Sequence, residues 1–244
     1  MRKGARRMSE TVSSGLPAHA ERHHVGHGPE LRHHFEEAEQ QHEASTLGMW
    51  VFLATEILFF GGLFTAYTIY RSFYLPGFEA GSRLLDVKAG AANTAVLIGS
   101  SFTMASAVHA AQTGKRKLLV TCLILTMILG CVFLGIKYTE YAEHWHEFQV
   151  PGLHWDSAAT FFKNAPNGSV ELFFCFYFFM TGLHAVHMII GLGIMTVMLI
   201  LSWRGRFAEK YFSPIEISGL YWHFVDIIWI FLFPLLYLIG GRYQ

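Results

Sequence analysis

Titratable side chains lie inside the hydrophobic runs of this 244-residue sequence, where they are costly unless something polar meets them. His223 and Asp226 stand three residues apart in the last run, Gly219 to Gly241, which is long enough to cross a bilayer. On a helix this spacing places both side chains on one face. That face must contact protein, water or a lipid head group, so both residues are candidates for interhelix or head-group contacts.

Glu56 lies near the middle of the first hydrophobic run, between Phe52 and Phe59, with no cation within a helical turn. A carboxyl in such a place is either neutral or paired with a group from another helix. Two interpretations stay open. The carboxyl acts on protons or lipid head groups, or it is a protonated acid whose hydrogen bond only fixes packing.

His184 and His187 share one helical face in the fourth run. Together with His223 they have the donor atoms for a metal or a haem. Metal sites between helices usually add carboxylates at a matched depth, as in Glu-x-x-His sets, and the fourth run has no such motif. Interhelix hydrogen bonds or a lipid phosphate are therefore favoured as partners, and no metal site or catalytic residue is predicted.

The composition is that of a membrane protein. The sequence is 52% hydrophobic and 15% charged, with a formal net charge of zero, which argues against a nucleic-acid partner. We predict an all-α polytopic protein with a polar, cytoplasmic tail over residues 1–46 and a five-helix transmembrane bundle over 47–244. The five spans are predicted at about 47–71, 90–112, 116–137, 171–203 and 215–241. An interfacial loop on the outside is predicted at 138–170.

The distribution of Lys and Arg predicts the orientation. Six of the eighteen basic residues lie in the tail, and three lie in each of the two turns that would share its side of the membrane. The positive-inside rule then places the N-terminus in the cytoplasm and the C-terminus outside.

Two histidine-rich segments could bind metal, and both have a more ordinary explanation. The tail contains seven histidines without fixed spacing, which is typical of a solvated, partly helical segment. The outer segment contains His144, His146 and His154 with Glu147, interleaved with aromatic residues as in an interfacial belt.

Four stretches have a common family pattern. Leu47 to Tyr70 reads LGMWVFLATEILFFGGLFTAYTIY, with a Trp, a Phe-Leu, the intramembrane Glu and a Phe-Phe-Gly. Thr181 to Gly191 reads TGLHAVHMIIG, and Glu216 stands five residues before Tyr221. Tyr221 to Phe231 reads YWHFVDIIWIF, the most specific of the four. In these features, over about residues 46–242, the chain resembles subunit III of haem-copper terminal oxidases of the cytochrome c oxidase type, in its short five-helix bacterial form.

The resemblance implies a non-catalytic, multi-pass subunit of an aerobic respiratory oxidase in the bacterial cytoplasmic membrane. The catalytic subunit I would carry the haems and copper, and this chain would bind no redox cofactor. Family members are thought to hold structural phospholipids, protect subunit I and support proton uptake. Other oxidase subunits and a respiratory supercomplex are further partners compatible with the resemblance. Glu56 matches the buried carboxylate of the family, and His184, His187, Glu216 and His223 are candidates for lining its lipid cleft.

The chain lacks the two N-terminal helices of the longer family members, which form one wall of that cleft. Five-helix members also occur in quinol oxidases and with nitric oxide reductases, so the electron donor stays open. A small proton channel or transporter, using Glu56, His109 and Asp226, is an alternative from another class. A membrane metalloenzyme using His184, His187 and His223 is the third.

Overall fold

The computed structural model describes residues 38–147, 149–152, 154–155, 167–204 and 213–238. These residues form six α-helices and a π-helical turn, Pro234–Leu238. The α-helices are α1 (Ala38–Phe73), α2 (Leu75–Leu84), α3 (Val87–Gln112), α4 (Arg116–His146), α5 (Asn167–Trp203) and α6 (Ser213–Phe233). Two-residue strands, β1 (Gln149–Val150) and β2 (His154–Trp155), pair antiparallel after α4.

Five of the helices are long and apolar enough to cross a membrane: α1, α3, α4, α5, and α6 with its π-helical turn. This confirms the predicted all-α polytopic class with five transmembrane helices. The cytoplasmic location of the N-terminus stays a prediction. Six of the seven tail histidines, the side chain of the seventh, His42, and the side chain of His154 lie outside the part described, so the predictions made for them are not tested.

The helix α1 begins at Ala38, ahead of the predicted span that starts at about residue 47, and two further features differ from the predicted boundaries. The helix α4 continues to His146, whereas the predicted span ends at residue 137. A short helix that was not predicted, α2, follows α1 and packs against α5, with the rings of Phe78 and Phe173 5.7 Å apart. Both differences arise because hydropathy registers the length of apolar runs, whereas these segments are amphipathic and owe their burial to neighbouring helices.

The centre of the bundle is built around the indole of Trp222 on α6, which is fully buried. A Cβ atom added to Gly130 of α4 or to Gly191 of α5 would lie 2.9 Å from this indole. The Trp222 Nε1–H donates to Ser100 Oγ of α3 at 2.9 Å. Two glycines and a serine from three helices thus form the slot that fixes α6 in the middle of the bundle.

The first span, α1, is the most peripheral helix. Only 11% of its most apolar window is buried, against 56% for α6. Its packing is mainly on α6, and Ile57, Leu58 and Ile69 are exposed. In a bilayer these exposed side chains must be covered by lipid or by another polypeptide.

The last helix changes geometry at Pro234, as a proline inside a helix predicts. Regular α-helix ends at Phe233, and residues 234–238 form the π-helical turn. The Tyr67 hydroxyl of α1 donates to the Leu235 carbonyl at 3.0 Å, which satisfies a backbone acceptor in the turn.

Candidate functional site

The structure pairs Glu56 with a group from another helix. Glu56 Oε2 of α1 lies 3.2 Å from His187 Nε2 of α5. The side chains retain 20% and 14% exposure, so the pair is at the edge of the bundle rather than in its core. Two of the residues identified from the sequence therefore form one contact, between spans that are 131 residues apart in the chain.

The hydrogen bonds of His187 define how many protons the pair holds. His187 Nδ1 is 2.8 Å from the Leu183 carbonyl, which can only accept, so Nδ1 carries a hydrogen. The contact between His187 Nε2 and Glu56 Oε2 then contains a single proton, on either atom. Both arrangements leave the pair with zero net charge, which is less costly than a net charge inside a membrane-spanning segment.

Aromatic side chains enclose this pair. The Phe60 ring lies edge-on to His187 with centroids 5.4 Å apart, and Phe52 stacks on Tyr221 at 6.1 Å. The Tyr221 hydroxyl donates to the His187 backbone carbonyl at 2.9 Å and so fixes α6 against α5 at this level. The site can hold a proton and join three helices.

His223 and Asp226 contact α3 in different ways. His223 Nδ1 lies 2.6 Å from Ser101 Oγ, and the His223 side chain is half-buried. Asp226 is 2% exposed; the Ser101 hydroxyl lies close to its carboxyl, yet within the described residues neither carboxyl oxygen has a hydrogen-bond partner. The polar face predicted for this helix therefore faces α3, and the burial of Asp226 excludes contact with a lipid head group in this conformation.

Comparison with known proteins gives the family. Residues 31–241 match the model of the family described as cytochrome c oxidase subunit III. The chain belongs to that family. A quinol oxidase subunit 3 from Bacillus subtilis is 33% identical over 194 residues, which cover 80% of this chain and 86% of the relative. A probable quinol oxidase subunit 3 from Staphylococcus aureus is 30% identical over 206 residues, with coverage of 83% and 92%.

The three histidines of the metalloenzyme alternative do not converge in this member of the subunit III family. His184 is 1% exposed and lies between the rings of Phe133 and Trp229, with centroids 5.4 and 5.3 Å away. His187 contacts α1 and His223 contacts α3. Among the described residues, no group of three or more His, Cys, Asp or Glu is placed to hold a metal ion.

The other candidates of the sequence lie away from the pair. Both ring nitrogens of His184 lack a hydrogen-bond partner within the described chain, as do both carboxyl oxygens of Asp226. Glu216 is half-buried in the first turn of α6. His109 is exposed near the end of α3 and forms no ion pair in the described part of the chain.

Sequence reasoning missed a charged cluster between α4, α5 and the π-helical turn. Lys137 and Glu140 are both 5% exposed, although Lys137 stands at the predicted end of the third span and Glu140 in the predicted outside loop. Lys137 Nζ donates to Glu140 Oε2 at 2.9 Å, to the Tyr177 hydroxyl at 3.2 Å and to the Tyr237 hydroxyl at 2.7 Å. Both tyrosine hydroxyls in turn donate to Glu140 Oε1.

This Lys137 cluster is a closed network. The ammonium group has three donors and uses all of them, while each tyrosine accepts one hydrogen bond and donates another. The rings of Tyr177 and Trp229 lie 5.0 Å from Lys137 Nζ, within the range of a cation–π contact. A signal for it exists in the sequence, because Lys137, Glu140 and His144 recur at helical spacing, and the structure buries all three.

The Glu56–His187 pair gives a direct test by substitution. Glu56→Gln should leave stability nearly unchanged, because the amide N–H can donate to His187 Nε2 in place of the acid. Glu56→Leu should lower the free energy of unfolding by about 1–3 kcal/mol, since it leaves Nε2 without a donor. SDS-induced unfolding of the purified protein in mixed micelles measures both. Thr55→Val is the matched control, because among the described residues the exposed Thr55 hydroxyl bonds the Phe52 carbonyl of its own helix and no other helix. Equal losses for Gln and Leu would show that the pair needs a charge rather than a hydrogen bond.

Proposed function

We propose that this chain is the non-catalytic subunit III of an aerobic respiratory haem-copper oxidase in the bacterial cytoplasmic membrane. The match to the subunit III family over residues 31–241 is the observation that carries the proposal. The chemistry of the described residues agrees with it. In this proposal the Glu56–His187 pair and the Lys137 cluster hold protons and charges, and electron transfer takes place in the partner subunit that binds haem and copper.

The role of the chain is support of its neighbours. The neutral Glu56–His187 pair joins α1 to α5, and Tyr221 joins the same level to α6, so the exposed flank of α1 is held in a defined position. That flank is apolar along Ile57, Leu58 and Ile69 and fits the hydrocarbon surface of subunit I or structural lipid. A proton held at the pair, at the edge of the bundle, agrees with a supporting part in proton uptake.

Two electron donors are candidates for the complex. The names of the Bacillus and Staphylococcus relatives favour a quinol. The description of the matched family names cytochrome c. Because the donor binds to other subunits, the residues of this chain do not decide between them, and the experiment includes both.

The experiment is affinity purification of the tagged chain from its native membrane in mild detergent. We expect a haem spectrum and the mass of a catalytic subunit to co-purify. Oxygen consumption of this preparation with a soluble quinol and with reduced cytochrome c then identifies the donor. A chromophore-free homo-oligomer of the chain, obtained in several detergents, would contradict the proposal. Proton flux through liposomes that contain only this chain would instead support the channel alternative.

A further inference from the structure

A cluster of exposed cations lies where the turn between α3 and α4 meets the end of α5. Lys115 and Lys117 flank Arg116, and all three side chains are exposed. The Arg116 guanidinium donates from Nε to the Ser202 carbonyl at 3.0 Å and from Nη2 to the Trp203 carbonyl. These two bonds bring the basic turn against the C-terminus of α5.

The charge of this cluster is not neutralised by the helices that carry it. Arg204 follows α5 directly and is also exposed. Within the described residues Lys115, Lys117 and Arg204 form no ion pair. The acidic residues of α4 and α5 all lie toward the opposite ends of these helices: Glu140, Glu143 and Glu171. Trp203 is 70% exposed at the same level, and exposed tryptophans of this kind mark the head-group region of a bilayer.

An apolar groove between α4 and α5 leads from this cluster toward the membrane centre. It is lined by Ile124, Met127, Ile128, Cys131, Val132 and Leu199. By helical rise, Leu199 lies roughly 7 Å below Arg204 and Ile124 roughly 10 Å below Lys117. Cys131 lies roughly 21 Å below Lys117. The groove therefore starts just below the cations and extends over about the length of one leaflet of hydrocarbon.

We propose that this surface binds an anionic phospholipid, with its phosphate between Lys115, Lys117 and Arg204 and an acyl chain in the α4–α5 groove. Charge complementarity determines the head group, since unpaired cations at the membrane surface attract anionic lipid. The groove determines that the anion carries an acyl chain, because the groove offers almost no polar surface. This site lies apart from the Glu56–His187 pair. It deepens the lipid-holding part of the proposed function.

The test is electron spin resonance with spin-labelled phosphatidylglycerol and spin-labelled phosphatidylcholine. The purified complex is reconstituted into phosphatidylcholine vesicles. We expect the immobilised fraction to favour phosphatidylglycerol, and Lys117→Gln to lower that preference roughly fivefold, the effect of one cation at a membrane surface. Lys88→Gln is the matched control, because Lys88 is an exposed lysine near the start of α3, at the other end of the bundle.

The groove is tested separately. Ile128→Trp should fill it and remove most of the immobilised phosphatidylglycerol, whereas Ile98→Trp, on the exposed side of α3, should not. Both positions are more than half exposed, so neither variant disturbs the core. Excess inorganic phosphate should leave the lipid in place.

Three results would overturn the assignment. These are equal immobilisation of the two lipids, a loss of preference in Lys88→Gln as large as in Lys117→Gln, or displacement of the lipid by phosphate alone. The experiment measures the lipid bound to this chain, whichever subunits purify with it. The lack of a haem-binding partner would therefore contradict the proposed function but not the lipid site.

Discussion

Lys137→Met is expected to lower the free energy of unfolding by about 3–5 kcal/mol. The substitution removes the ammonium group and leaves the Glu140 carboxylate buried without its cation, while two tyrosine hydroxyls lose the donor that they accept from. Loss of one partner of a buried ion pair is costly because the other charge stays out of water. SDS-induced unfolding of the purified complex measures the change, and loss of the assembled complex from membranes is the coarser readout.

The double variant Lys137→Met/Glu140→Leu separates charge from packing. Removing both charges with apolar side chains of similar size should restore most of the stability, since no unpaired charge remains. Lys88→Met, near the start of α3, is the control for losing an exposed lysine. A double variant as unstable as the single one would show that the cluster acts through its hydrogen bonds to Tyr177 and Tyr237 instead.

Trp222→Ala should cost about 3–5 kcal/mol of unfolding free energy, the range for removing a fully buried large aromatic side chain. The indole fills the space that Gly130 and Gly191 leave open, so three helices lose contact at once. Ser100 also loses the donor to its hydroxyl. Unfolding in mixed micelles is again the measurement.

Trp50→Ala controls for the loss of an indole, because Trp50 is 59% exposed on α1. Enlarging a glycine that contacts the Trp222 indole should also disrupt the packing, so Gly191→Leu should fail to assemble. Gly193→Leu should be tolerated, because the space around the Gly193 backbone is open. Tolerance of Gly191→Leu would contradict the packing described for Trp222.

The spans could be predicted from the sequence because they follow from apolar length, and the cost of a carboxyl in hydrocarbon indicated that Glu56 is either neutral or paired with another helix. The identity of its partner could not be predicted. Nothing in the spacing selects His187 over His184, which are three residues apart on one face; only the position of α1 decides that one contacts Glu56 and the other is buried against Phe133.

The Lys137 cluster could not be predicted for a related reason. A run-based prediction ends a span at the first charge, and Lys137 is the first charge after a long apolar stretch. Burial of that charge depends on Tyr177 and Tyr237, which are 40 and 100 residues further along the chain. The helical periodicity of the polar residues beyond residue 137 is visible in the local sequence, so it indicates that the helix continues. The tertiary partners of Lys137 lie far away in the chain, so the local sequence does not identify them.

The distance along the chain between Glu56 and His187 has a consequence for biogenesis. At a synthesis rate of about 5–20 residues per second, the 131 residues between them take roughly 7–26 s to leave the ribosome. During that interval α1 has reached the insertion machinery, whereas His187, whose imidazole pairs with the Glu56 carboxyl, has not been made. The first span is therefore made well before the side chain that pairs with Glu56, and this carboxyl has no partner on α5 until the fifth helix of the described structure has been synthesised.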